Sequence, residues 1–93
     1  MDKVMHNEAV RRFELALSGT TAYIDYKVKD DGSLAFTHTF VPVELQGQGV
    51  AARLTEGALR WCREAGKQVL PLCSYTVVYF KRHPEWNDLK SDQ

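Results

Sequence analysis

Residues 46–51, Gln46-Gly47-Gln48-Gly49-Val50-Ala51, close an extended apolar run and open directly onto an amphipathic segment. A helix that begins there leaves its first N–H groups without intrahelical partners, and its dipole adds partial positive charge at the same end. Glycines let that backbone approach a ligand with no side chain in the way. The combination makes a seat for phosphate oxygens. A plainer reading, a strand-to-helix turn, satisfies a lone Gly-x-Gly equally well.

Two other residues can do chemistry. Cys73 sits between a short apolar run and a second helical segment. A cysteine before a helix N-terminus has its thiolate favoured, and thiolate is a strong nucleophile. A small buried hydrophobe is the commoner fate of a free cysteine, so both readings stand. His38 falls in an extended run beside Leu34, Phe36 and Phe40. With a pKa near 6.5 it suits taking a proton from an ammonium group or from Cys73. A satisfied core histidine is the alternative, and Glu44 in the following loop is the competing base. Cys62 lies on a helical apolar stripe and reads as core.

The elements that must position these groups follow from periodicity. Residues 1–7 are polar and read as a loose terminus. Residues 9–17 alternate as a strand, with Phe13, Leu15 and Leu17 on one face. Ser18, Gly19 and Thr20 make a turn into a strand at 21–29, with Ala22, Ile24, Tyr26 and Val28 on one face. Asp31 and Gly32 signal a hairpin into a third strand at 33–41. Leu34, Phe36 and Phe40 lie on one face of that strand and Ala35 and Val41 on the other, which predicts a strand covered on both sides. Pro42 cannot donate to a ladder, so pairing weakens there. Helical spacing then runs from Gly49 to Ala65, with Val50, Leu54, Ala58, Trp61, Cys62 and Ala65 on the stripe and Gly66 as the cap. A short strand at 67–72, a helix at 75–82 that Pro84 ends, and a frayed tail from Asp88 complete the reading. A strand, helix and strand in that order favour a right-handed parallel crossover. The pattern is α+β: an antiparallel β-meander, one βαβ unit and a short C-terminal helix.

The string from His38 to Pro42, the Gln46-x-x-Gly49-x-Ala51 loop, Pro71-Leu72-Cys73-Ser74-Tyr75 and Arg82-His83-Pro84-Glu85-Trp86 occur in that order. Together they resemble the GCN5-related N-acetyltransferases, and more closely their small single-domain branch, the YjdJ-type or N-acetyltransferase-domain-containing-1-like proteins. The resemblance covers about residues 8–90 of a single domain spanning 1–93. It implies a truncated acetyltransferase fold, since the tight turn between the first two strands leaves no room for the helices that usually build the acceptor pocket. It implies acetyl-CoA as co-substrate, with backbone N–H groups of Gln48, Gly49, Val50, Ala51 and Ala52 facing the pyrophosphate. Arg53 either adds charge to a phosphate or is a solvated helix residue. Val41 and Val43 match the strand whose backbone pairs with the pantetheine arm, and N–H near Val43 would hold the thioester oxyanion. Cys73 matches a cysteine near the acetyl end of the coenzyme, either taking the acetyl group or lining the site while an amine attacks directly. His38 matches a strand that often carries the general base. Tyr79 either matches the tyrosine that protonates the departing thiolate or simply packs beside Val78.

Twelve basic and twelve acidic residues cancel, so no one-signed field points to nucleic acid or membrane. Two cysteines make no disulfide framework, and no apolar run approaches a signal peptide or a membrane span. A cytoplasmic protein with free thiols is expected. His83 has no partner at ligand spacing, and no metal is expected. Two functions fit. One is an N-acetyltransferase acting on an unidentified amine. The other is a coenzyme A-binding module, sensor or partner subunit, with little turnover. A monomer or weak homodimer is expected, the dimer supplying the wall the short frame lacks.

Overall fold

A computed structural model of the chain describes residues 3–91. The looseness expected at Met1 and Asp2, and at Asp92 and Gln93, lies outside the described residues. Five strands form one mixed sheet in sequential order: β1 (Met5–Asn7), β2 (Arg12–Leu17), β3 (Thr20–Val28), β4 (Leu34–Phe40) and β5 (Val69–Pro71). The first four pair antiparallel, and β5 joins β4 in parallel after α1 (Val50–Ala65). α2 (Ser74–Arg82) and a 3-10 segment, Pro84–Leu89, close the chain. The α+β meander and βαβ unit are therefore as the periodicity predicts.

Alternation sorts the sheet into two faces. Phe13, Leu15, Ala22, Ile24, Tyr26 and Phe36 share one buried cluster with Val50, Leu54, Ala58, Leu59 and Cys62 of α1 and Tyr79 and Phe80 of α2. Burying one such side chain stabilises the fold by about 1.5–3 kcal/mol. The opposite face carries Arg12, Glu14, Tyr23 and Asp25, all half-buried, and His38 and Phe40, both exposed. Arg12 pairs with Asp25 at 2.6 Å and lies over the Tyr23 ring at 3.6 Å. β4 is thus not covered on both sides as its composition suggests. Ala35 is buried on the outer side, but the helices gather on the other.

Both ends of the described chain are tied down, contrary to expectation. Met5–Asn7 pairs with β2, and Val4 lies over α1 at Gly57, where an added Cβ would come within 2.6 Å of Val4 Cβ. Between β1 and β2, Glu8–Val10 forms a 3-10 turn, so the strand expected from residue 9 begins at Arg12. At the other end Trp86 and Leu89 are buried, and Ser91 N–H donates to the Val69 carbonyl at 2.7 Å. Arg63 spans Trp86 and Asp88, with its guanidinium 4.3 Å from the ring centroid and 2.6 Å from the carboxylate.

His6 explains why β1 stays down. Its ring stacks on Phe13 (centroids 4.5 Å apart), meets the edge of Trp61 at 4.1 Å and pairs with the Tyr26 hydroxyl at 2.5 Å. Burial lowers its pKa below the ordinary 6.5, although Glu8 nearby pulls the other way. The unfolded chain therefore binds the proton more readily, and stability falls as pH drops below 6.5 through the lowered folded value. The urea midpoint should fall between neutral pH and about pH 5, and His6→Gln should flatten that dependence while weakening the fold at neutral pH. An identical pH slope in the variant would assign the acid sensitivity to another group.

Candidate active site

Two irregularities in β4 shape the site. The first is a bulge. Register runs Asp25 to His38 and then Tyr26 to Phe36, so Thr37 is the extra residue, and its hydroxyl donates to the Asp25 carbonyl at 3.3 Å. An extra residue reverses the alternation beyond it. Thr39, opposite Ile24, takes the core face, while His38 and Phe40, opposite Asp25 and Tyr23, move to the outer face. The expectation that His38 shares a face with Phe36 is corrected by this slip. His38 sits exposed beside Tyr23, ring centroids 6.3 Å apart, on the side of the strand away from Thr39.

The second irregularity is a splay. β5 pairs with β4 only at Leu34, Ala35 and Phe36, ending at Pro71, which has no N–H to give. Leu72 and Cys73 both donate their N–H to the Phe36 carbonyl at 3.0 Å, and the chain turns into α2. Among the described residues no strand continues along this side of β4 at residues 37–40.

At the far end of that free edge lies the loop. β4 stops at Phe40, and Val43–Leu45 rolls into a 3-10 turn. Val43, expected on the strand, is thereby removed from it and is 79% exposed, because the ladder ends at Phe40 and Pro42 has no N–H to extend it. Val41 is half-buried against the core. Leu45 plugs the core and anchors the loop. Gln46 donates its side-chain N–H to the Val41 carbonyl at 3.1 Å, and Gln48 does the same to Glu44 at 3.1 Å. Glu44 itself is an exposed turn residue.

Gly49 is the residue before α1, at φ +74° with no side chain to cap the helix. The first intrahelical bond runs from Arg53 N–H to the Gly49 carbonyl at 3.1 Å. The amides of Val50, Ala51 and Ala52 therefore lack intrahelical acceptors. A Cβ built on Gly49 meets nothing within 4 Å, so the approach to these amides is open. A cavity of about 250 Å³ lies here, lined by Val41, Gln46, Gly49, Ala51, Ala52 and Tyr75, among others. Bare donors, a helix dipole and an open glycine suit a diphosphate, so the residues fit the group expected from the sequence. Arg53 is exposed on the first turn.

Cys73 is the N-cap of α2, its carbonyl accepting from Val77 N–H at 3.0 Å. Its thiol donates to Thr39 Oγ1 at 3.5 Å. Burial pushes the thiol up, but hydrogen bonds from the Thr39 hydroxyl and from backbone N–H groups of Thr76, Tyr75 and Thr39 outweigh it, leaving the pKa below its ordinary value. Cys62 behaves oppositely: burial pushes it up to about 12, as befits a core thiol.

Tyr79 is not brought to the cleft. It is buried with Trp86 near its hydroxyl and its ring stacked on His83, centroids 4.2 Å apart. Tyr75, one turn earlier on the same helix face, lines the cavity instead. Burial holds its phenol above the usual tyrosine value, with Arg82 opposing. Tyr75 and Thr39 are therefore the residues that periodicity alone passed over.

The mixed sheet parts beside an uncapped helix N-terminus, and sequence comparison gives the class to which this arrangement belongs. The chain belongs to the GCN5-related N-acetyltransferase family, whose model, "GCN5-related N-acetyl-transferase", matches residues 12–89. The fold is similar to that of a GCN5-like protein from Staphylococcus aureus solved in solution by NMR. The TM-score is 0.75 at 22% identity, covering 98% of this chain and 89% of that one. No curated protein matches the sequence significantly. Among the described residues no helix is long and apolar enough to cross a membrane.

Proposed function

We propose that this protein is an acetyl-CoA-dependent N-acetyltransferase in which Cys73 carries the acetyl group to an amine. The observation that carries the reading is a single track: uncapped amides at 50–52, the free edge of β4 and the lowered-pKa thiol of Cys73 follow one another along the splay. The co-substrate supplies an activated thioester. Amides of Gln48, Gly49, Val50, Ala51 and Ala52 hold its diphosphate, and the free β4 edge with Val41 accepts the extended arm as an added strand would be accepted.

Cys73 thiolate adds to the thioester carbonyl carbon. The carbon–sulfur bond to coenzyme A breaks, and the departing sulfur takes the electron pair and a proton, for which Tyr75 is the donor at hand. A neutral amine then attacks the acyl-Cys73 carbonyl. The new carbon–nitrogen bond forms, Cys73 leaves as thiolate, and one amine proton is lost. His38, on the open outer face of β4, is the base proposed for that proton.

The same open face favours a second reading, a coenzyme A-binding module with little turnover. Among the described residues no helix of the core cluster covers Tyr23, which is half-buried, or His38 and Phe40, which are exposed. Steady-state release of free thiol from acetyl-CoA with a panel of amines separates the two. The transferase reading expects amine-dependent release. Tight binding of coenzyme A without release would favour the module, and no binding in calorimetry would overturn both.

A further inference from the structure

We propose that Thr39 is a positioning residue for Cys73: presented by the Thr37 bulge, its hydroxyl fixes the sulfur at the mouth of the splay and donates to it once the thiol has lost its proton. The role rests on the reading of Cys73 as the acyl carrier.

The backbone leaves Cys73 one degree of freedom. Its N–H is committed to the Phe36 carbonyl and its C=O to Val77 N–H, each at 3.0 Å, so only the side-chain torsion remains to aim the sulfur. Thr39 Oγ1 at 3.5 Å selects that torsion. Threonine is apt for the task, because a β-branched side chain on a strand is stiff. The bulge is equally necessary. Were Thr37 paired in regular register opposite Asp25 and not bulged, alternation would turn Thr39 to the outer face and present His38 in its place.

Ionisation reverses the hydrogen bond. The neutral thiol donates to the hydroxyl, whereas the thiolate accepts from it, and a bond to a charged acceptor is about twice as strong as a neutral one. The amides of Tyr75 and Thr76 at the start of α2 also favour the thiolate, although the neutral thiol makes no capping bond to them. Burial and these hydrogen bonds, not a charged side chain, are the main influences on the thiol. Cys73 is thus aimed by a hydroxyl where other cysteine enzymes use an imidazolium partner.

The test needs no coenzyme. The full chain is alkylated with iodoacetamide across a pH series, and peptide mass spectrometry scores Cys73 separately from Cys62. Thr39→Val should move the Cys73 midpoint upward and slow alkylation at neutral pH by about fivefold, the greater nucleophilicity of a more basic thiolate recovering part of the loss. Thr39→Ser should restore the wild-type rate to within about twofold, because the hydroxyl returns. Thr39→Ala, which adds no bulk, repeats the measurement if the valine variant does not fold. A wild-type profile in the Val or Ala variant overturns the proposal, as does a Ser variant that behaves like Val. Coenzyme A calorimetry on the parent protein tests the binding reading separately. Loss of the Thr39 effect with binding intact sinks the positioning role alone, whereas an intact effect with no coenzyme A binding sinks the proposed function alone.

Discussion

Gly49→Asp should lower coenzyme A affinity by at least about 100-fold while leaving the fold intact. The carboxylate would stand at the uncapped start of α1 as a local anion, facing the N–H donors of Ala51 and Ala52. It would fill the diphosphate seat and repel the diphosphate. Two like charges about 4 Å apart cost about 4 kcal/mol near a protein surface, more than the roughly 2.7 kcal/mol that a 100-fold loss requires. The fold should tolerate the change. Gly49 has φ +74°, which Asp and Asn tolerate better than other side chains, at about 1 kcal/mol, and a Cβ there meets nothing within 4 Å. Favourable contact with the helix dipole returns about 0.3–1 kcal/mol. Gly49→Asn separates charge from shape, since it has the same size and strain without the negative charge, and a smaller loss is expected. Wild-type calorimetric affinity in Gly49→Asp would refute the loop as the coenzyme seat.

That the loop was readable at all reflects its physics. Recognition by backbone needs small residues and a helix start, and both are written in Gln46, Gly49 and Ala51. The sheet faces were equally legible as far as Phe36, because Phe13, Leu15, Ala22, Ile24 and Tyr26 alternate without interruption. Legibility ends at Thr37. A bulge is an insertion relative to the partner strand, and nothing in Thr37-His38-Thr39 distinguishes it from three ordinary strand residues. Its consequence is large, for it exchanges His38 for Thr39 beside Cys73.

The termini and α2 misled for another reason. His6 and Ser91 are polar, and polarity reads as looseness, yet His6 stacks on Phe13 and meets Trp61 edge-on, and Ser91 is buried beside Val69. Such contacts depend on partners tens of residues away. On α2, Tyr75 and Tyr79 lie four apart on one face, so periodicity alone cannot rank them. The ranking comes from the splay, which brings the first turn of α2 to the cavity, and from Trp86, which packs the next turn into the core. The loop amides Gln46 and Gln48 are a third case: their backbone acceptors, Val41 and Glu44, exist only once the loop has closed.

Cys73→Ala should abolish the acetyl adduct seen by mass spectrometry of the intact protein after incubation with acetyl-CoA. It should also reduce amine acetylation by at least about 10³-fold, as loss of a nucleophile does when the remaining groups act only through it. Coenzyme A affinity should change little, because the proposed diphosphate seat at the start of α1 and the β4 edge are untouched. The pH dependence carries independent information. Thiolate is the reacting form, so adduct formation rises with pH and levels off above the Cys73 pKa. Hydrogen bonds to the sulfur outweigh its burial and lower that pKa, so the plateau should arrive at lower pH than for an ordinary thiol near 8.5. Cys73→Ser should fail as Ala does, since a serine hydroxyl does not ionise in this range and its pairing with Thr39 supplies no general base. Undiminished amine acetylation in Cys73→Ala, with no adduct on the parent protein, would move the chemistry to direct attack by the amine. Cys73 would then line the splay, and its lowered pKa would be a consequence of capping α2.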